Sequence, residues 1–169
     1  MILELCLEDE EIIHRPTVEV KDITEITKAF ISNLLKTMRH LHGVGLAGNQ
    51  VGSQFRIAVV ENKRLLAHPL VMINPRIVEQ SIQQDDACEG CLSIPKKSFM
   101  VRRPKWVIIE YTDKNGKLKT LKAKNLLARI ILHELEHLQG VTIRDKAFED
   151  NEVREYANSV IDKDKLWID

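Results

Sequence analysis

Two segments of the chain carry apolar residues at helical spacing. In the first, a repeat of three to four residues predicts an amphipathic helix that ends before Gly43, with Ile23, Ile26, Phe30, Leu34, Leu35, Met38 and Leu41 on its apolar face. Asp22 and Glu25 resemble a capping box at its start. The second runs from Leu126 to Gly140, which supplies a stop. A final short helix is predicted from Phe148, Val153, Tyr156, Ala157, Val160 and Ile161.

Short segments rich in Val, Ile, Tyr and Trp predict strands at 55–61, 70–74, 77–82 and 106–112. Lys114-Asn115-Gly116-Lys117 is a strong turn signal, and it predicts a hairpin that joins 106–112 to 118–123. One helix, then mainly antiparallel strands, then helices indicates an α+β fold. We expect the strands to pack around the second helix, and 1–169 to form a single domain.

Composition narrows the choice of partners and location. Lys and Arg together number 25, as do Asp and Glu, so the net charge is zero and no overall basic field attracts nucleic acid or an anionic membrane. The apolar runs are too short to cross a bilayer, and the first residues lack a signal-peptide pattern. We therefore expect a cytoplasmic protein. Its three cysteines do not suggest a disulfide framework.

The second helix carries the candidate chemistry, His133-Glu134-Leu135-Glu136-His137. Two imidazoles four residues apart project from one helix face and can bind a single metal ion, with Glu134 as general base toward a metal-bound water. The Cys91 thiolate is a third candidate ligand for Fe(II), Zn or Ni. Three protein ligands would leave the fourth position of a tetrahedral ion open, as catalysis requires.

The same residues allow other interpretations. Cys88 and Cys91 could join the two histidines in a closed structural zinc site. Against this, 41 residues separate Cys91 from His133, and a structural site gives no reason for Glu134 to stand beside a ligand. A redox dithiol lacks the expected βαβ context. A metalloprotease is a further alternative, although a cysteine as third ligand argues against it.

Residues 43–52 contain four glycines. A dinucleotide-binding loop would need a preceding strand and a following helix, whereas here a predicted helix precedes and a predicted strand follows. Leu46 and Ala47 favour a tightly packed segment. We expect this segment to line a pocket, with the Gln50 amide pointing inward.

Three segments together resemble the signature motifs of the peptide deformylases. They are 43–50 (GVGLAGNQ), 89–93 (EGCLS) and 133–137 (HELEH), in the order and spacing of that family. The resemblance implies the deformylase fold and a hydrolase that removes the N-formyl group from the formyl-methionine of newly made polypeptides. It also implies one Fe(II) ion, replaceable by Ni, Co or Zn.

The resemblance also implies a role for each matching residue. Cys91, His133 and His137 would bind the metal, and Glu134 would transfer protons. The Gln50 amide and the Leu92 backbone N–H would stabilise the oxyanion, while the Gly45 backbone would meet the peptide as an added strand. The pocket for the methionine side chain would be formed by Val44, Leu92, Leu126, Ile130 and the edge of His133. Glu89, paired with Arg102 or Arg103, would support the Cys91 loop.

The chain departs from the family pattern at several positions. Glu136 replaces the usual aspartate, Gly48 replaces an alanine, and Lys96 and Asn125 stand where relatives carry glycine. From Glu149 to Asp169 the tail has seven acidic and three basic residues, so we expect weak or no docking on the ribosome. A hydrolase of another formamide and a non-catalytic zinc-stabilised binding module remain as alternative functions.

Overall fold

Two antiparallel sheets dominate the computed structural model, which describes residues 1–147 and the backbone of residues 154–155. The larger sheet has the strand order β1-β2-β3-β6-β7, formed by Gly45–Ala47, Ile57–Val60, Leu70–Gln80, Trp106–Thr112 and Leu118–Lys124. The smaller has the order β4-β5-β8, formed by Gln84–Cys91, Ile94–Pro104 and Arg154–Glu155. The α-helices are α1 (Glu25–His40), α2 (Asn125–His137) and α3 (Ile143–Lys146). Short 3-10 helices occur at Glu11–His14 and Gly48–Val51.

Strand β2 is buried on both of its faces. Ala58 and Val60 pack in one cluster with α2, whereas Ile57 and Val59 pack in a second cluster with α1. Successive side chains of a strand point to opposite faces, so the larger sheet lies between the two helices in this region. This explains why β2 has an uninterrupted apolar sequence. A third cluster joins the smaller sheet to α3 through Cys91, Ile94, Phe99, Val101 and Ile143.

The mainly antiparallel strands and few helices agree with the predicted α+β class. The predicted hairpin is confirmed, because β6 and β7 pair from Trp106↔Lys124 to Thr112↔Leu118. In its turn, the Asp113 carboxylate accepts hydrogen bonds from the backbone N–H groups of Asn115 and Lys117 at 2.8 and 2.9 Å. None of the described helices is both long and apolar enough to cross a membrane.

Several predicted boundaries are wrong. The Asp22 capping box is wrong, because Thr24 is the N-cap of α1 and its hydroxyl accepts a hydrogen bond from the Thr27 N–H at 3.4 Å. The two strands predicted around Pro75 are one strand, β3, which continues past the proline through a register shift between Ile73 and Arg76. The hairpin of β4 and β5 was not predicted, because its strands alternate poorly between apolar and polar residues.

The predicted C-terminal helix falls mostly outside the described residues. Within it, Arg154–Glu155 form a strand that pairs with Lys97 and Ser98 of β5, so the helix prediction is wrong at these two positions.

Lys96 and Asn125 have left-handed backbone conformations, with φ of 62° and 50°. Both stand where the deformylase pattern has glycine, the residue that adopts positive φ without steric cost. Asparagine tolerates this conformation better than lysine does. The departures from glycine therefore preserve the backbone shape at some cost in stability, and that cost is greater at Lys96.

We predict that Lys96→Gly stabilises the protein by about 1 kcal/mol, because it removes the contact between Cβ and the backbone at positive φ. Lys96 is exposed, so few other contacts are lost. Asn125→Gly is the matched control, and we expect a smaller change. The free energy of unfolding from urea titration measures both. Destabilisation by Lys96→Gly would contradict the prediction.

Candidate metal centre

His133 and His137 project from one face of α2 because four residues separate them along the helix. Their Nε2 atoms lie 3.1 Å apart, and both rings are buried. Burial lowers the pKa of His137 well below its ordinary value, and the positive charge of Arg103 acts in the same direction. His137 is therefore neutral at pH 7, and the neutral imidazole is the form that binds a metal.

Cys91 reaches this pair of histidines from the smaller sheet. It is the last residue of β4, and its Sγ lies 3.2 Å from His137 Nε2. The ligand atoms of Cys91, His133 and His137 all lie within 4.8 Å of one another. Around a tetrahedral zinc-like ion, neighbouring nitrogen and sulfur ligands lie about 3.3 to 3.6 Å apart. The separations of 3.1 and 3.2 Å from His137 Nε2 are close to these values, so the three side chains can meet at one metal ion if Cys91 and His133 approach each other.

Cys88 does not join this group among the described residues. Its Sγ lies 3.2 Å from Ser98 Oγ, the neighbouring hydroxyl on β5. The closed site of two cysteines and two histidines therefore has no support in the geometry.

The Glu89 carboxylate organises the surroundings of His133. Its Oε1 accepts hydrogen bonds from Arg103 Nε at 2.5 Å and Arg129 Nη1 at 2.6 Å. Its Oε2 lies 2.8 Å from Arg103 Nη2 and 3.1 Å from His133 Nδ1. Burial alone would raise the pKa of Glu89, but the hydrogen bonds from His133 and Arg103 outweigh it and hold the pKa far below its ordinary value. Since an ionised carboxylate only accepts, His133 Nδ1 carries the proton and Nε2 is left for the metal.

We expected Arg102 or Arg103 to pair with Glu89, and Arg103 is the partner, whereas Arg102 has a different acceptor. It donates instead to Asp86, at 2.7 and 2.8 Å, on the exposed face of the hairpin. Adjacent strand residues point to opposite faces, so only Arg103 reaches Glu89. Conversely, Arg129 on α2 was not predicted. Arg129 is the single charged residue between Leu126 and Leu132, and the sequence pattern alone did not indicate its buried ion pair.

Glu134 is fully buried and lies against Gly45 of β1. A Cβ atom added at Gly45 would overlap Glu134 Oε1. Glycine at this position therefore makes room for the carboxylate.

The Gln50 side chain is held in one orientation by the backbone. Its Oε1 accepts the Ala47 N–H at 2.8 Å, which directs Nε2 to Ser93 Oγ at 3.2 Å and to Cys91 Sγ at 3.6 Å. The amide donor thus faces Cys91, one of the three candidate ligands. The adjacent Asn49 donates to the backbone carbonyls of Ile13 and His137, so it ties this segment to the end of α2.

A small, partly open pocket with a mainly apolar lining lies beside His133. Val44, Leu126 and Ile130 line it, together with Glu89, Gly90, Arg129 and His133. One predicted lining residue, Leu92, is not among these residues. Leu92 packs instead against the cluster that joins α1 to the larger sheet. Its side chain points there because it follows Cys91 in the tight β4–β5 connection.

Comparisons with known proteins agree with this geometry. The family model described as polypeptide deformylase matches residues 2–153. A peptide deformylase from Dictyoglomus thermophilum is 38% identical over 150 residues, which cover 89% of this chain and 95% of the relative.

Solved structures of peptide deformylases are also similar. That from Synechococcus elongatus, in complex with actinonin, has a TM-score of 0.84 and 36% identity, and the match covers 88% of this chain and 80% of that one. The Met-Ala-Ser-bound enzyme from Acinetobacter baumannii has a TM-score of 0.82 and 27% identity, and the match covers 86% and 98%. Sequence and structure together show that this chain belongs to the polypeptide deformylase family.

Proposed function

We propose that Cys91, His133 and His137 bind one divalent metal ion in a hydrolase that removes the formyl group from the formyl-methionine of newly made polypeptides. The convergence of one sulfur and two imidazole nitrogens beside a buried glutamate carries this proposal. Family membership supports the activity. We expect Fe(II) as the metal, replaceable by Ni, Co or Zn, because the mixed sulfur and nitrogen ligands suit these ions.

A divalent metal held by Cys91, His133 and His137 would supply a Lewis acid and would lower the pKa of water. The chain supplies the proton transfers and the orientation. Glu134 lies on the same helix as both histidines, and we assign it the proton of the attacking water, which it then passes to the departing amine. Glu89 holds His133 in the tautomer described above.

The developing oxyanion needs donors at the point where negative charge forms. We assign this role to the Gln50 amide and to the backbone N–H of Leu92. The orientation of Gln50 supports the first assignment, because its amide nitrogen already faces Cys91. Leu92 follows Cys91 directly, so its N–H lies close to the same ligand.

The pocket beside His133 suits the side chain of the first residue of the substrate. Its apolar lining of Val44, Leu126 and Ile130 matches an unbranched methionine. The backbone of Gly45 is at the free edge of the larger sheet, where a peptide can add as a strand. The Met-Ala-Ser complex of the Acinetobacter relative supports a peptide ligand of this type.

The alternative functions are weaker. A zinc-stabilised binding module would require a fourth protein ligand, and Cys88 is outside the group. A hydrolase of another formamide would share the metal chemistry and differ only in the pocket. We further propose that residues 1–169 act as one catalytic domain in the cytoplasm, without direct binding to nucleic acid or membrane.

We predict that Glu134→Gln lowers the rate of deformylation by a factor of about 10² to 10⁴, because the amide cannot transfer the proton. The metal content should be unchanged. The measurement is an anaerobic assay of the Fe(II)-loaded protein on formyl-Met-Ala-Ser, with metal analysis of the same sample. Glu110→Gln, on the surface of β6, is the matched control. Near wild-type activity in Glu134→Gln would refute the assigned role.

Substitution of each cysteine distinguishes a metal site that has three protein ligands and an open position from a closed site that has four protein ligands. We predict that Cys91→Ser loses most of its bound metal, because a hydroxyl is a poor substitute for a thiolate ligand. Cys88→Ser should retain the metal and the activity. The metal content of both variants is measured after dialysis. Loss of metal from Cys88→Ser would favour the closed structural site.

The acidic tail, which lies largely outside the described residues, generates a further prediction. Its excess of carboxylates should be repelled by ribosomal RNA, so we expect little salt-dependent affinity for ribosomes. Co-sedimentation with ribosomes at low and high salt measures this affinity. A relative with a basic tail serves as the positive control. Equal binding of the two proteins to ribosomes would contradict the prediction.

A further inference from the structure

Arg129 is aligned with the two histidines on α2. Residues 129, 133 and 137 are each four apart, so they share one face of the helix. Arg129 is 6% exposed, although arginine is rarely buried without partners. Its position one turn before His133 places a permanent positive charge beside the candidate metal site.

The Arg129 guanidinium connects α2 to both strands of the β4–β5 hairpin. Nη1 donates to Glu89 Oε1 on β4 at 2.6 Å and to the Val101 carbonyl on β5 at 2.9 Å. Nη2 donates to the Asp85 carbonyl on β4 at 2.8 Å. This hairpin carries Cys91, whereas α2 carries both histidines. One side chain therefore links the two elements that must meet for three ligands to converge.

A second ion pair links α2 to the β4–β5 hairpin. Here the arginine lies on the hairpin and the carboxylate lies on the helix. Arg103 of β5 donates to Glu136 of α2 at 2.9 Å while it also binds Glu89. Arg129 and Glu136 lie before and after His133 on the helix, so the hairpin is held on both sides of this ligand. Glu89 accepts from both arginines, which makes its position, and thus the contact with His133, depend on each of them.

We propose that Arg129 is a positioning residue of the metal centre. Its guanidinium holds Glu89 and the Cys91 hairpin in register with His133, and so sets the geometry in which the metal is bound. This inference rests on the proposed metal site. The stem of Arg129 also lines the apolar pocket and an adjoining cavity that shares Leu126 with it. A test must therefore remove the guanidinium and keep the stem.

Arg129→Met meets this requirement, and Co(II) is a suitable probe because its absorption spectrum reports coordination geometry. In competition with a chelator, we expect Arg129→Met to bind Co(II) about 10- to 100-fold more weakly than the wild type, as for other losses of outer-shell partners. The Co(II) spectrum should also change. Arg129→Lys should recover part of the affinity, because it retains the charge but reaches fewer acceptors.

Arg102→Met is the matched control, since it removes an arginine from the opposite face of the same hairpin. It should bind Co(II) as the wild type does. Unchanged affinity and spectrum in Arg129→Met, or an equal loss in Arg102→Met, would overturn the inference. If Arg129→Met does not fold, Arg129→Lys decides the question, and wild-type affinity in that variant is the contrary result. None of these measurements uses deformylation, so failure of the proposed function would appear separately, as an inactive Co(II)-loaded wild type.

Discussion

The site depends on the hydrogen bonds and ion pairs that the buried carboxylate of Glu89 forms. A carboxylate removed from water is costly unless charged partners and hydrogen bonds replace the lost hydration. Here two arginines and one histidine, from β5 and α2, direct donors at its two oxygens. Removal of one partner from such a buried pair costs about 3 to 5 kcal/mol, because it leaves the other charge buried without compensation. The same contacts align the proposed metal ligands, so folding and preorganisation of the site share one set of interactions.

Close packing on the other side of α2 complements these charges. β1 lies at the edge of the larger sheet, and its Gly45 leaves space for the Glu134 carboxylate. The same strand begins the segment that orients Gln50 through the Ala47 N–H. A short stretch of backbone thus contacts the proposed base and directs the proposed oxyanion donor. This explains the glycine at position 45.

Features encoded within one element were predictable from the sequence. The spacing of His133 and His137 determines which helix face they share, and the Asn-Gly turn determines the β6–β7 hairpin. Features that depend on pairing between elements were not. The choice between Arg102 and Arg103 requires the orientation of β5, and that strand was not predicted. Arg129 was overlooked because its partners, Glu89 and two carbonyls, lie at least 28 residues away along the chain.

The departure at Glu136 illustrates how the chain differs from its relatives without disturbing the site. One oxygen of this carboxylate binds Arg103 at 2.9 Å, and the other lies 3.5 Å from Lys146 Nζ on α3. Glutamate is one methylene longer than aspartate, so its carboxylate reaches both the buried guanidinium of Arg103 and the half-exposed ammonium of Lys146. The exposed pair adds little because water screens it, whereas the pair with Arg103 is buried and stronger. Glu136 therefore supports Glu89 indirectly, through Arg103, and also contacts α3 through Lys146.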